Sequence, residues 1–162
     1  MPAALIRRSG LTLDLCGVNN HEVRGKHDIR IISDCLLEEV DSSEYDCLFL
    51  PGGPHYQVLE SDKRVLELIK EFHDSDRYIA AICAAPTILG HLGLLKGKKY
   101  TCFTSMNEDF GGEYTDAYVE TDGKLITGKS VAAATDFGLE IIKVLGSEEL
   151  ADKTKKRIYY KY

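Results

Sequence analysis

Eighteen consecutive residues, Tyr78 to Leu95, contain no Asp, Glu, Lys or Arg. That length reaches the point at which a membrane helix must be weighed against a buried segment of a folded domain. The run's own composition decides against a span. Pro86 sits in its middle, Gly90 and Gly93 follow, His91 is polar, and four alanines dilute its apolarity. A buried strand at Ile79–Ile82, an abrupt turn and a helix of small residues over 84–92 accommodate it instead. A second run, Asp46-Cys47-Leu48-Phe49-Leu50, is also continuously apolar and ends in Pro51-Gly52-Gly53-Pro54. Strands that are apolar without alternation belong to parallel sheets covered on both faces.

The rest of the chain supplies the covering layers. A short helix is expected over 3–9, with Gly10 as its stop signal. Leu11, Leu13 and Leu15 alternate with polar or small residues and predict a half-buried strand over 11–16, followed by a short strand over 29–32. Ser61 is placed to cap a helix whose apolar face is Val65, Leu66, Leu68, Ile69 and Phe72. A strand follows at 100–103, then a hairpin of 118–121 and 124–127 around Asp122-Gly123, then a helix over 132–145. The charged tail, 147–162, is helical at first, and its Lys/Arg cluster reads as a solvated face. Strands alternating with helices give an α/β fold with a mostly parallel sheet, as one domain spanning 1–162.

Composition narrows the function classes. The net charge of −6 argues against a nucleic-acid binder, which needs a basic face. The cysteines at 16, 35, 47, 83 and 102 are odd in number, with no CxxC pair, so neither a disulfide scaffold nor a zinc site is expected. His21-Glu22 begins an HExxH pattern that Gly25 breaks. No metal and no cofactor are expected. Met1–Arg8 has no long apolar core of a signal peptide, which together with the cysteines predicts a reducing, cytoplasmic setting and no membrane partner.

Ligands of open α/β sheets bind beyond the carboxyl ends of the strands. There, Ile82-Cys83-Ala84-Ala85-Pro86 takes a buried strand straight into a helix. Such a turn presents one side chain and needs small neighbours, which Ala84 and Ala85 provide. Helix-start N–H groups favour a charged sulfur and an oxyanion, and the Gly52-Gly53 turn offers further backbone donors at the same edge. A cysteine between a strand and a helix is otherwise a small packing residue.

Asp46–Gly53 (DCLFLPGG), Ile79–Pro86 (IAAICAAP), Leu92–Thr101 (LGLLKGKKYT) and Asp122–Thr127 (DGKLIT), in that order, resemble the ThiJ/PfpI family, within the class I glutamine amidotransferase-like fold. The similarity runs over about 5–146. It implies a flavodoxin-like three-layer sandwich, a homodimer, Cys83 as nucleophile, and an oxyanion site from the N–H groups of Gly53 and Ala84. Gly52, His55, Pro86, Glu113 and Lys129 would support the pocket. The resemblance implies glyoxalase- or deglycase-type chemistry on small carbonyl compounds or glycated substrates, thiol-based stress sensing, or a chaperone-like role. The protease branch of the family carries His after its nucleophile, where this chain has Ala84.

The chain also departs from the family pattern. Leu5–Gly10 resembles the helix that follows the family's first strand, so that strand and the general acid/base Glu after it are expected to be missing. Losing a positioned acid/base costs about 10²–10⁴-fold in rate. Glu113 stands in Gly111-Gly112-Glu113-Tyr114 where several relatives have His; it is either a replacement acid/base or a solvated carboxylate. Lys129 begins the stretch that replaces an Arg-Gly-Pro-Gly turn, and either holds an anionic group or is a surface lysine. Two readings compete with catalysis: a non-catalytic, chaperone-like or scaffold member, and, remotely, nucleotide binding through Gly123–Ser130, which matches GxxxxGK[ST].

Overall fold

The computed structural model describes residues 1–160; the last two residues of the predicted tail, 161 and 162, lie outside the described residues. Helix α1 (Pro2–Ser9) is followed by β1 (Cys16–Gly17), the β2 (Glu22–Arg24) and β3 (Arg30–Ile32) hairpin, and β4 (Cys35–Leu36). Next come β5 (Cys47–Leu50), α2 (Tyr56–Ser61), α3 (Lys63–Asp74), β6 (Tyr78–Ile82) and α4 (Pro86–His91). The chain continues through β7 (Lys99–Tyr100), β8 (Glu113–Tyr114), β9 (Val119–Asp122), β10 (Leu125–Gly128), α5 (Ala134–Leu145) and α6 (Glu148–Arg157).

The central sheet has the order β5-β6-β10-β9, with β9 antiparallel and the other three parallel. Period-two alternation along β6 feeds two cores. Ile79 and Ala81 pack with Val65, Ile69 and Phe72 of α3 and with Ile88 and Leu89 of α4. Ala80 and Ile82 pack on the opposite face with Leu5 and Ile6 of α1 and with Phe137, Ile141 and Ile142 of α5. Helix, sheet, helix is therefore the layer order, as a flavodoxin-like sandwich requires. Gly138 admits α1 to α5: a Cβ there would lie 3.1 Å from Pro2 Cα. The uncharged run divides into β6, a turn and α4, and no described helix is long and apolar enough to cross a membrane.

Several expectations are corrected. Strand pairing in 11–17 is confined to Cys16–Gly17, because side chains take the backbone groups before it. Leu13 O accepts from Arg7 Nε and Nη2 at 3.0 and 2.7 Å, and Leu15 N donates to Asp34 Oδ2 at 2.7 Å. The cap of α3 is Asp62, whose Oδ1 accepts from Arg64 N at 2.9 Å; Ser61 ends α2 and donates to Val58 O. The strand expected at 100–103 pairs only as Lys99–Tyr100. β2 is an element the sequence pattern did not reveal, since Glu22–Arg24 is three residues long and largely exposed. The phosphate-loop reading fails on geometry. Gly123–Ser130 is a hairpin turn plus β10, whose Leu125–Gly128 are all buried and paired on both sides.

Among the described residues, β5 pairs with β6 alone, and β1 pairs with β4 in a separate two-stranded sheet.

Candidate active site

Cys83 leaves β6 with φ +66°, a left-handed backbone that a non-glycine residue adopts at a cost. The end of β10 and the segment that follows β7 hold it there. Cys83 N donates to Gly128 O, and Cys83 O accepts from Phe103 N, both at 2.8 Å. Pro86 then starts α4 at a position where its missing N–H costs nothing. Ala84 and Ala85 are buried, and Thr87 Oγ1 donates to Ala84 O at 2.7 Å, fixing the turn into the helix.

The glycine turn after β5 packs directly on this elbow. A Cβ at Gly52 would lie 2.5 Å from Ile82 O and 2.6 Å from Cys83 Cβ, so only glycine allows the approach. Gly53 turns away with φ +84°. Among the described residues, the N–H groups of Gly53 and Ala84 have no hydrogen-bond acceptor, which leaves both able to serve an oxyanion. His55 lies two residues beyond Gly53 as the half-buried N-cap residue of α2.

Lys129 follows Gly128, the residue that holds Cys83 N, and so reaches the same edge. Its Nζ is already engaged, 2.8 Å from Asp116 Oδ1. Asp116 also receives the Tyr114 hydroxyl and lies 3.4 Å from Thr104 Oγ1. The Lys129 and Tyr114 hydrogen bonds hold the Asp116 carboxyl below the usual carboxylate range, and Asp116 pushes Lys129 up. Cys102, buried beside this group, is pushed up to about 11 by burial first and then by the charges of Cys83 and Asp116. Phe103, Tyr114 and Asp116 were missed from sequence. Asp116 has φ +54°, but nothing in its neighbours announces a turn that folds back to the elbow.

Glu113 is not brought to Cys83. It opposes Lys99 in β8, 3.9 Å from Lys99 Nζ, and Lys99 N donates to Asp122 Oδ2 at 2.9 Å. Asp122 opposes Leu125, which opposes Ile79, at the amino end of β6. Cys83 lies past the carboxyl end, about 13 Å away at the rise of a strand. Among the described residues, no side chain hydrogen-bonds the Cys83 sulfur, and no group of three His, Cys, Asp or Glu could hold a metal ion.

Comparison with known proteins gives this geometry a context. The model of the DJ-1/PfpI family, the ThiJ/PfpI group of the sequence resemblance, matches residues 1–144. The crystal structure of Drosophila melanogaster DJ-1beta superposes with a TM-score of 0.92 at 31% identity, covering 99% of this chain and 89% of that one. A glutathione-independent glyoxalase of Caenorhabditis elegans is 30% identical over 152 residues, 92% of this chain and 81% of its own. A deglycase of Thermococcus kodakarensis is 28% identical over 147 residues, 89% of each chain. A strained cysteine between a parallel strand and a helix, faced by a glycine turn, thus sits in a chain that belongs to the DJ-1/PfpI family.

Proposed function

We propose that Cys83 is the nucleophile of glyoxalase- or deglycase-type chemistry on small reactive carbonyl compounds or their adducts. The observation that carries the reading is the left-handed backbone of Cys83, kept in place by Gly52, Gly128 and Phe103. Strain of this kind persists only where the surroundings over-determine it, and it collects at functional sites. Relatives named as a deglycase and a glyoxalase support the substrate class.

The chemistry follows from the atoms present. The Cys83 thiolate adds to an aldehyde carbon, forming the C–S bond while the carbonyl π pair moves to oxygen. The N–H groups of Gly53 and Ala84 stabilise that oxyanion, which then takes a proton to give a hemithioacetal. Onward rearrangement or hydrolysis needs a proton-transfer group. The Asp116–Tyr114–Lys129 group adjoins Gly128, whose carbonyl accepts from Cys83 N, and Lys129 is its cation. A homodimer in the cytoplasm completes the proposal. The exposed Ile29, Ile31 and Ile32 of the β2–β3 hairpin supply an apolar contact for the dimer, and five free thiols fit a reducing compartment.

The competing reading is a non-catalytic, chaperone-like member. The observation on its side is that, among the described residues, no acid/base side chain hydrogen-bonds the Cys83 sulfur. Consumption of methylglyoxal separates the two. The proposal expects wild-type turnover and a loss of at least about 100-fold in Cys83→Ser, the scale of a lost nucleophile. Equal rates in the two proteins would leave the chaperone-like reading standing.

A further inference from the structure

Two cysteines outside the Cys83 site face each other. β1 and β4 pair in parallel over two residues, and the register places Cys16 directly opposite Cys35 and Gly17 opposite Leu36. Paired residues on parallel strands project to the same face of a sheet, with backbones about 4.8 Å apart. Both sulfurs are free, Cys16 exposed and Cys35 half-buried. We propose that Cys16 and Cys35 form a dithiol site that closes to a reversible disulfide on meeting a small disulfide oxidant of the oxidised-glutathione class.

Geometry makes the bond attainable and labile together. A disulfide wants its Cβ atoms about 3.8 Å apart, closer than the strand spacing sets them. A ladder of two residue pairs shears readily to make up the difference, since few hydrogen bonds resist it. Strained, accessible disulfides have higher reduction potentials and are the ones that open and close under cellular conditions.

The steps balance as two exchanges. The Cys35 thiolate attacks one sulfur of the glutathione disulfide, whose S–S bond breaks, and one glutathione leaves and takes a proton. Cys16 loses its proton to solvent and attacks the Cys35 sulfur, displacing the second glutathione. Net, two protein thiols give up two hydrogens and one glutathione disulfide becomes two glutathiones. Cys16 sits opposite Cys35 throughout, so the second step is intramolecular and fast relative to reduction from solution. Before oxidation, local desolvation, then the neighbouring Cys35 thiol, then Glu39 push Cys16 up to about 12. Derivatising Cys35 removes its share of that effect when Cys16 must ionise. The closed loop encloses residues 17–34, so the bond fastens the base of the β2–β3 hairpin that carries Ile29, Ile31 and Ile32.

The proposal is independent of the Cys83 reading and is tested with Cys83 silenced. The Cys83→Ala protein, native by circular dichroism, is equilibrated in graded ratios of oxidised to reduced glutathione, then digested without reduction for mass spectrometry. The expected result is a linked Cys16–Cys35 peptide pair at intermediate ratios. The link persists in Cys47→Ser, opens with dithiothreitol, and is replaced by a single glutathione adduct in Cys16→Ser and in Cys35→Ser. Separate adducts on both cysteines without a link, two cysteines that stay reduced, or a link that forms only in denaturant would overturn it.

Discussion

At Cys83 a residue type and a backbone conformation conflict, and function is read from that conflict. A non-glycine residue in the left-handed region costs about 1 kcal/mol relative to glycine, and the Cys83 side chain is small and only partly buried against the core beneath α1 and α5. Cys83→Gly is therefore expected to raise the thermal midpoint by about 2–4 °C while abolishing reaction with methylglyoxal; a fall in the midpoint would mean the turn is not strained. The elbow was legible in the sequence because Ile82-Cys83-Ala84-Ala85-Pro86 combines a buried strand end, small residues and a helix-starting proline. Glu113, which the resemblance left as either a replacement acid/base or a solvated carboxylate, pairs with Lys99, and the Lys99 N–H bond to Asp122 places that pair toward the other end of the sheet.

Helices α2 and α4 each leave one of the two turns that make the site, and a histidine joins them. His91, the last residue of α4, is hydrogen-bonded through Nδ1 to Glu60 of α2 and lies 3.4 Å through Nε2 from Glu108. The Glu60 hydrogen bond first, then Glu108, push His91 above its ordinary value. A raised folded value means the protonated form is the stabilised one. Its contribution is fully present below about pH 6.5, the unfolded value, and is lost as pH rises through the higher folded value. The stability difference between wild type and His91→Gln is expected to be largest near about pH 6 and to shrink as pH rises above it. Denaturant midpoints across that range check it, and a difference that grows with pH would contradict it. The elements themselves were legible where periodicity was strong, as in α3, β6 and β10. They were not legible in 11–15, where Arg7 and Asp34 take backbone groups that alternation assigns to a strand.

Across the whole molecule, two cores on the faces of one sheet leave the Cys83 turn beyond the carboxyl end of the inner strand β6 and leave the hairpin 22–32 outside both cores. Three exposed isoleucines on that hairpin are an apolar surface without a partner in one chain. Sedimentation is expected to show a dimer, and Ile31→Glu to shift it toward monomer; a monomeric wild type at tens of micromolar would contradict the proposed assembly. The cysteines are distributed just as unevenly. Burial pushes Cys47 up to about 12 and Cys102 up to about 11, and Cys16 is pushed up to about 12, so these three are poor nucleophiles at neutral pH. Cys83 stands at the elbow with two backbone donors beside it. The most direct test is the rate at which iodoacetamide labels each of the five cysteines in the native protein at neutral pH, read by peptide mass spectrometry. The account predicts that Cys83 is labelled fastest, by at least about tenfold over each of the others; labelling of Cys83 no faster than the rest would contradict its role as the nucleophile.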